Sequence, residues 1–203
     1  MLIVTVLVYL IFSYLLGSVL FAMILTKFMD INDPRSYGSK NAGATNVMRS
    51  GNKKAGILTF LGDFIKGLLV VLVAKYVFKN YDNPELYVGV SAILVVLGHI
   101  FPVFFNFKGG KGVSTMLGVL FAINYLVGLI TVFTWLLVFK IFKISSLSAL
   151  VALLLAPIYI FCVTHNYKYF ILVLFLSLIV IAKHKDNILK LILRKESSFK
   201  NKK

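Results

Sequence analysis

The sequence predicts an all-α membrane protein with seven transmembrane helices. Three observations carry this. Hydrophobic residues make up 60% of the 203 positions, well above an ordinary soluble domain. They gather into apolar stretches with the lengths that a bilayer demands. The basic residues sit in the short polar segments between those stretches, mostly at alternate ends.

The stretches run over residues 2–25, 55–78, 86–105, 113–123, 125–142, 147–163 and 167–182. The first has no basic leader and no small-residue cleavage site, so it reads as a first span and not as a signal peptide. The region 113–142 reads as one long span or as two with a tight turn near Asn124, and charge parity decides between them. Segment 27–54 carries Lys27, Arg35, Lys40, Arg49, Lys53 and Lys54. The tail carries Lys183, Lys185, Lys190, Arg194, Lys195, Lys200, Lys202 and Lys203. Both favour the cytoplasm.

Six spans would place these two segments on opposite sides. Seven place them together with Lys108, Lys111, Lys140 and Lys143, so that 18 of 22 basic residues face the cytoplasm. Lys75, Lys79 and Lys168 then lie outside, and Lys66 lies within the second span. The expected topology has the N-terminus outside and the C-terminus cytoplasmic. The fourth helix, residues 113–123, is only about 16 Å long at 1.5 Å per residue. That is a half-span, continued by residues buried in protein. In the tail, Ile188, Leu191 and Ile192 share a face, which predicts a short interfacial helix within 184–196. No internal repeat is visible, so residues 1–203 read as a single domain.

The net charge is +15. Topology bias explains most of it, with anionic lipid and anionic substrates as further readings. Nucleic acid is not expected, because the basic residues are spread over short loops instead of forming one soluble face. The acids Asp30, Asp33, Asp63, Asp82, Glu85, Asp186 and Glu196 never pair at helical spacing inside a span. A carboxylate metal site therefore lacks ligands, and no metal or other cofactor is expected. Cys162 stands alone in an apolar run and reads as packing.

Two polar, glycine-rich, cationic segments interrupt this pattern: Gly38-Ser-Lys-Asn-Ala-Gly-Ala-Thr-Asn-Val-Met-Arg49 and Phe107-Lys-Gly-Gly-Lys-Gly-Val113. Glycine frees the backbone to aim N–H groups at one point, while Lys and Arg add positive charge. Ser, Thr and Asn add short hydrogen-bonding arms. Those are the parts of a phosphate cradle. In the first segment the candidates are Ser39, Thr45, Asn46 and Arg49, whose guanidinium can hold a phosphate bidentately; the competing reading is a capped turn. In the second they are Lys108, Gly109, Gly110, Lys111 and Gly112; the competing reading is a flexible turn. It is not a Walker A loop, because Gly112 follows Lys111.

Five further residues are singled out. Asp63 and Lys66, three apart in the second span, read as a partly buried structural ion pair. His99, just before Phe101-Pro102, reads as structural beside a proline kink. His184 shares a helix face with Asn187. His165 receives no role.

Three blocks together resemble the bacterial integral-membrane glycerol-3-phosphate acyltransferases that use acyl-phosphate donors, the PlsY type. They are 38–49 as quoted, Gly98-His-Ile-Phe-Pro-Val-Phe-Phe-Asn-Phe-Lys-Gly-Gly-Lys-Gly-Val113, and His184-Lys-Asp-Asn-Ile-Leu. The first block departs from the family's usual form, which has Gly where Lys40 stands and Pro where Ala42 stands. The resemblance implies seven transmembrane helices in the bacterial plasma membrane, with the active site toward the cytoplasm. It implies acyl transfer from acyl-phosphate to the sn-1 hydroxyl of glycerol 3-phosphate, giving lysophosphatidic acid and phosphate. It assigns essential roles to Ser39 and Arg49, glycerol 3-phosphate binding to Gly109–Gly112 with Lys111, and activity to His184 and Asn187. Glu196 is then mainly structural.

The chemistry agrees with the residues. Acyl-phosphate is a mixed anhydride with a good leaving group, so the protein mainly has to hold two anions together and orient a hydroxyl. None of His99, His165 and His184 has an Asp four residues on, so no His–Asp base is expected. The donor's own phosphate is the expected proton acceptor, positioned by Ser39, Thr45, Asn46 and His184. Coupling to a soluble enzyme that makes acyl-phosphate is a further expectation. The rival reading is a transporter of a phosphorylated metabolite, which would more usually show internal repeats and a midplane site.

Overall fold

The computed structural model describes residues 2–199, and the tail residues Lys200, Lys202 and Lys203 lie outside them. Among the described residues every regular element is helical. The chain divides into two compact units, Met1–Ile123 and Asn124–Lys203.

The first unit begins with α1 (Leu2–Ser18) and α2 (Phe21–Phe28). The sequence predicts one continuous span here, but the two helices meet at 45°. The break falls at Val19-Leu20, directly after Gly17-Ser18, a pair that commonly kinks helices. A break strips helix carbonyls of their partners, and in a bilayer no water replaces them. Two of these carbonyls are taken by one side chain: Lys66 Nζ donates to Gly17 O at 2.9 Å and to Val19 O at 2.6 Å.

After a polar loop come the five-residue α3 (Ala44–Met48) and the long α4 (Lys53–Val77). Asn52 caps α4, its side-chain oxygen accepting from Ala55 N at 2.9 Å. Helix α5 (Pro84–Ile100) ends five residues before the predicted boundary. The chain turns at Phe101-Pro102 into a single 3-10 turn, Val103–Phe105. Helix α6 (Val113–Ile123) is the predicted short helix. It runs beside α4 in the same direction, with Gly118 against the Phe64 backbone and Lys75 Nζ on the Ala122 and Ile123 carbonyls at 2.7 and 2.9 Å. Lys75 thus satisfies the C-terminal carbonyls of a helix that stops short.

The second unit holds α7 (Tyr125–Phe142), α8 (Ser145–Thr164), α9 (Tyr167–Ala182) and α10 (Lys185–Ile192). Asn124 caps α7 by accepting from Leu126 N and Val127 N, so region 113–142 is two helices. Asn166 caps α9 in the same way. Helix α10 bends 64° away from α9. It carries exposed Leu189 and Ile192 opposite buried Asn187, in the place of the predicted interfacial helix. The tail folds back, with Phe199 N donating to Lys143 O at 2.9 Å.

By length and apolarity four helices can cross a membrane, or six if each bent pair is one span. The 11-residue α6 is too short to count on that measure. Every predicted apolar stretch contains a helix, and the first contains two.

Lys66 and Asp63 form an ion pair at 2.9 Å with side chains 1% and 2% exposed, so the pair is fully buried where partial burial was expected. Replacing one member of such a pair leaves a lone buried charge, which costs about 3–5 kcal/mol. Lys66→Met should lower the thermal unfolding midpoint in detergent by that equivalent, and Asp63→Asn added to it should recover part of the loss.

Candidate functional site

The first loop is built around one side chain. Asn46, on α3 and 1% exposed, accepts from Ser39 N at 2.9 Å through Oδ1. Its Nδ2 donates to the carbonyls of Pro34, Tyr37 and Asn41. The loop therefore wraps around a buried amide, and Asn46 holds the backbone where the sequence suggested an arm reaching for phosphate. Arg49 follows as the C-cap residue of α3. A Cβ at Gly38 would overlap Asn46 Oδ1 and sit 3.3 Å from Arg49 Cδ. Arg49 thereby packs beside Gly38, the residue before Ser39, with half-buried Thr45 one residue before the central amide. At the entrance, Arg35 grips Asp33 bidentately, with a closest approach of 2.7 Å. Hydrogen bonding from Arg35 holds the Asp33 carboxyl below its ordinary value. Both are well exposed, so the pair adds less than about 1 kcal/mol.

Lys40 stands at φ +55, the left-handed region where a side chain is strained and glycine is not. This is the position where the resemblance expects Gly. Ala42, where it expects Pro, is buried in an apolar cluster with Leu20, Ala22, Val47 and Ala55.

The glycine loop lies beside this first loop. A Cβ on Gly110 would stand 2.9 Å from the carbonyl oxygen of Ala42. The loop amides do not all converge, because Lys108 N donates to Phe105 O and Gly110 N to His99 O, each at 3.1 Å. Lys108 is exposed and Lys111 half-buried. Gly112, at φ +91, turns the chain into α6, so the loop ends at a helix N-terminus, which favours anions.

His99 does not serve a proline kink, since α5 ends at Ile100 before the proline is reached. It is 3% exposed, and its Nδ1 lies 3.1 Å from Lys66 Nζ and 3.4 Å from Asp63 Oδ1. An ammonium has three protons and no lone pair. Two of its protons go to Gly17 O and Val19 O, and the third lies between Asp63 Oδ1 at 2.9 Å and His99 Nδ1 at 3.1 Å. Asp63 supplies the counter-charge.

The third block belongs to the second unit. His184, 3% exposed, donates through Nδ1–H to Val180 O at 2.7 Å, which sets its tautomer. Asn187 Nδ2 donates to Glu196 Oε1 at 2.8 Å, and Ser146 Oγ donates to the same oxygen at 2.9 Å. Glu196 thus ties α10 to the start of α8. Ser146 was not singled out from the sequence, which offers only a serine at a helix start as its signal. Among the described residues no three His, Cys, Asp or Glu side chains gather as metal ligands would.

Residues 7–194 match the family described as "Glycerol-3-phosphate acyltransferase". The chain belongs to the glycerol-3-phosphate acyltransferase family. A glycerol-3-phosphate acyltransferase from Janthinobacterium sp. (strain Marseille) is 46% identical over 191 residues, covering 94% of this chain and 95% of the relative. One from Burkholderia pseudomallei (strain 1710b) is 48% identical over 193 residues, covering 94% of each. Among solved structures, the glycerol 3-phosphate form of PlsY (YgiH), an integral membrane glycerol 3-phosphate acyltransferase, superposes with a TM-score of 0.90 at 36% identity, over 96% of both chains. Its lysophosphatidic acid form gives 0.88 at 35% identity, over 96% of this chain and 95% of that one.

Two variants probe the first loop of this acyltransferase. Asn46→Asp removes the amide donors and points a charge at three carbonyls, a loss of roughly 2–4 kcal/mol to local structure. Proteolysis of the 30–50 segment should accelerate and activity should fall at least tenfold. Lys40→Gly relieves the left-handed strain, so thermal stability should hold or rise by up to about 1 kcal/mol.

Proposed function

We propose that this membrane-bound glycerol-3-phosphate acyltransferase takes its acyl group from acyl-phosphate and places it on the sn-1 hydroxyl of glycerol 3-phosphate. The products are lysophosphatidic acid and inorganic phosphate, at the first step of phospholipid biosynthesis. The observation that carries this reading is the contact of two cationic loops within one unit, Gly110 lying against the Ala42 carbonyl. Two adjacent cradles suit two phosphate-bearing substrates. The solved relatives, a glycerol 3-phosphate form and a lysophosphatidic acid form, correspond to one substrate and the product.

In this reading Lys108, Lys111 and the loop 109–112 hold the phosphate of glycerol 3-phosphate before the N-terminus of α6. Ser39, Thr45 and Arg49 hold the acyl-phosphate, on a backbone that Asn46 keeps in shape. The substrate hydroxyl oxygen attacks the acyl carbonyl carbon. Cationic groups and amides stabilise charge on the carbonyl oxygen. The carbon–oxygen bond to phosphate then breaks, and the leaving phosphate takes the hydroxyl proton. His184 and Asn187 support the step, with Glu196 holding Asn187. Asp63 and Lys66 are structural. No base beyond the donor itself is required, and no metal.

We further read the chain as crossing the bilayer seven times, with the N-terminus outside and the site toward the cytoplasm of a bacterial plasma membrane. The bent first and last helices and the short α6 supply the crossings beyond the four long helices. The family match spans both compact units, so residues 1–203 form one polytopic acyltransferase domain. Its acyl-phosphate would come from a soluble enzyme.

The decisive assay uses purified protein in detergent with palmitoyl-phosphate, glycerol 3-phosphate and EDTA. Phosphate and lysophosphatidic acid should appear in equal amounts. Arg49→Ala should lower turnover about a hundredfold or more, as loss of a positioned charge does, and Ser39→Ala should follow it. Turnover only with an acyl thioester would overturn the donor. Accumulation of unmodified glycerol 3-phosphate in sealed vesicles, without turnover, would favour transport.

A further inference from the structure

We propose that His99 is a positioning residue: the seat on which the glycine loop rests. Lysine 66 fixes the ring, and the ring and its own carbonyl fix the loop. The proposal rests on the reading that this loop holds the phosphate of glycerol 3-phosphate.

Both ends of His99 meet the loop. Its carbonyl oxygen accepts the Gly110 N–H at 3.1 Å. A Cβ built on Gly109 would overlap that same oxygen and crowd Pro102 Cδ at 2.6 Å and Ile100 O at 2.8 Å. A Cβ built on Gly110 would overlap His99 Nε2 and stand 2.9 Å from its Cε1. These two positions are therefore glycine because His99 fills the space that a side chain would need. The amide of Gly110 is already engaged by protein, so freedom to approach a phosphate is not what that position provides.

The ring cannot swing away. Its Nδ1 is held by Lys66, whose other protons hold Gly17 O and Val19 O, and Asp63 balances the charge. His99 is 3% exposed. Nε2 faces Gly110, between Lys108 and Lys111. A shift of this seat would displace both lysines relative to the first loop, while leaving the reacting groups chemically intact. The expected signature is weaker binding of one substrate and not slower chemistry.

The test is a double-mutant cycle on the full-length protein, with KM for each substrate, kcat and thermal midpoint as readouts. His99→Asn keeps an oxygen for Lys66 to reach but vacates the space beside Gly110. It should raise KM for glycerol 3-phosphate about tenfold and change kcat less than about threefold. Gly110→Ala alone should raise the same KM at least as much. In the double variant the two effects should fall well short of multiplying, because the alanine methyl enters the vacated space.

Gly109→Ala is the internal control. Its methyl meets the backbone oxygen of His99, so its effect should multiply with that of His99→Asn. Should His99→Asn prove too unstable to purify, His99→Gln replaces it in the same cycle. Independent, multiplying effects for Gly110→Ala would overturn the proposal, as would equal relief of Gly109→Ala. If the coupled rise appears in KM for acyl-phosphate instead, the seat stands and the reading of which phosphate the loop holds fails.

Discussion

A membrane helix that breaks must find partners for the carbonyls it releases, because hydrocarbon offers none. In this protein the break after Gly17 is answered by the Lys66 ammonium, and much of the first unit depends on that answer. The charge required Asp63, one turn earlier on the same helix. The remaining proton lies between that carboxylate and the ring of His99. The first helix, α4 and α5 are thus joined at one nitrogen. Each partner is reasonable only because of the others: a lone lysine at that depth would be expelled, and a lone histidine would turn freely.

The same economy of buried polar groups shapes the loop before α4. Asn46 gathers four backbone groups of the loop onto one buried amide. Ser39 and Arg49 are therefore held by a hub that touches no substrate in the proposed reaction. Such a hub keeps reactive groups in place without itself being consumed by the chemistry, which is how a site on a loop gains the precision of a site on a helix.

Much of this was legible in the sequence. Apolar stretches located every long helix, and the odd lengths were visible too, notably the 11 residues of α6. Glycine and cationic residues marked both loops of the first unit. Four things were not legible. The bend in the first span had a signal in Gly17-Ser18, but the apolar run around it is unbroken, so pattern alone favours continuity. The partners of Asn46 are carbonyls, and every residue has a carbonyl, so no residue type announces them. His99 was read by its nearest neighbour in sequence, Pro102, whereas its true neighbours come from α4, over 30 positions earlier. Ser146 was missed for the same reason, being 50 positions from Glu196.

The position of Lys66 in the chain bears on how the protein is made. Its ion-pair partner and both of its carbonyl acceptors, in Asp63, Gly17 and Val19, precede it in sequence. When α4 leaves the ribosome, the broken first helix is already available. The charge can be satisfied as α4 enters the membrane, before α5 has emerged from the ribosome. A lysine at the centre of a helix adds about 2.5–3.5 kcal/mol to insertion, and here the relief arrives from the helix already inserted. His99 joins later, when α5 brings its ring against a pair already formed.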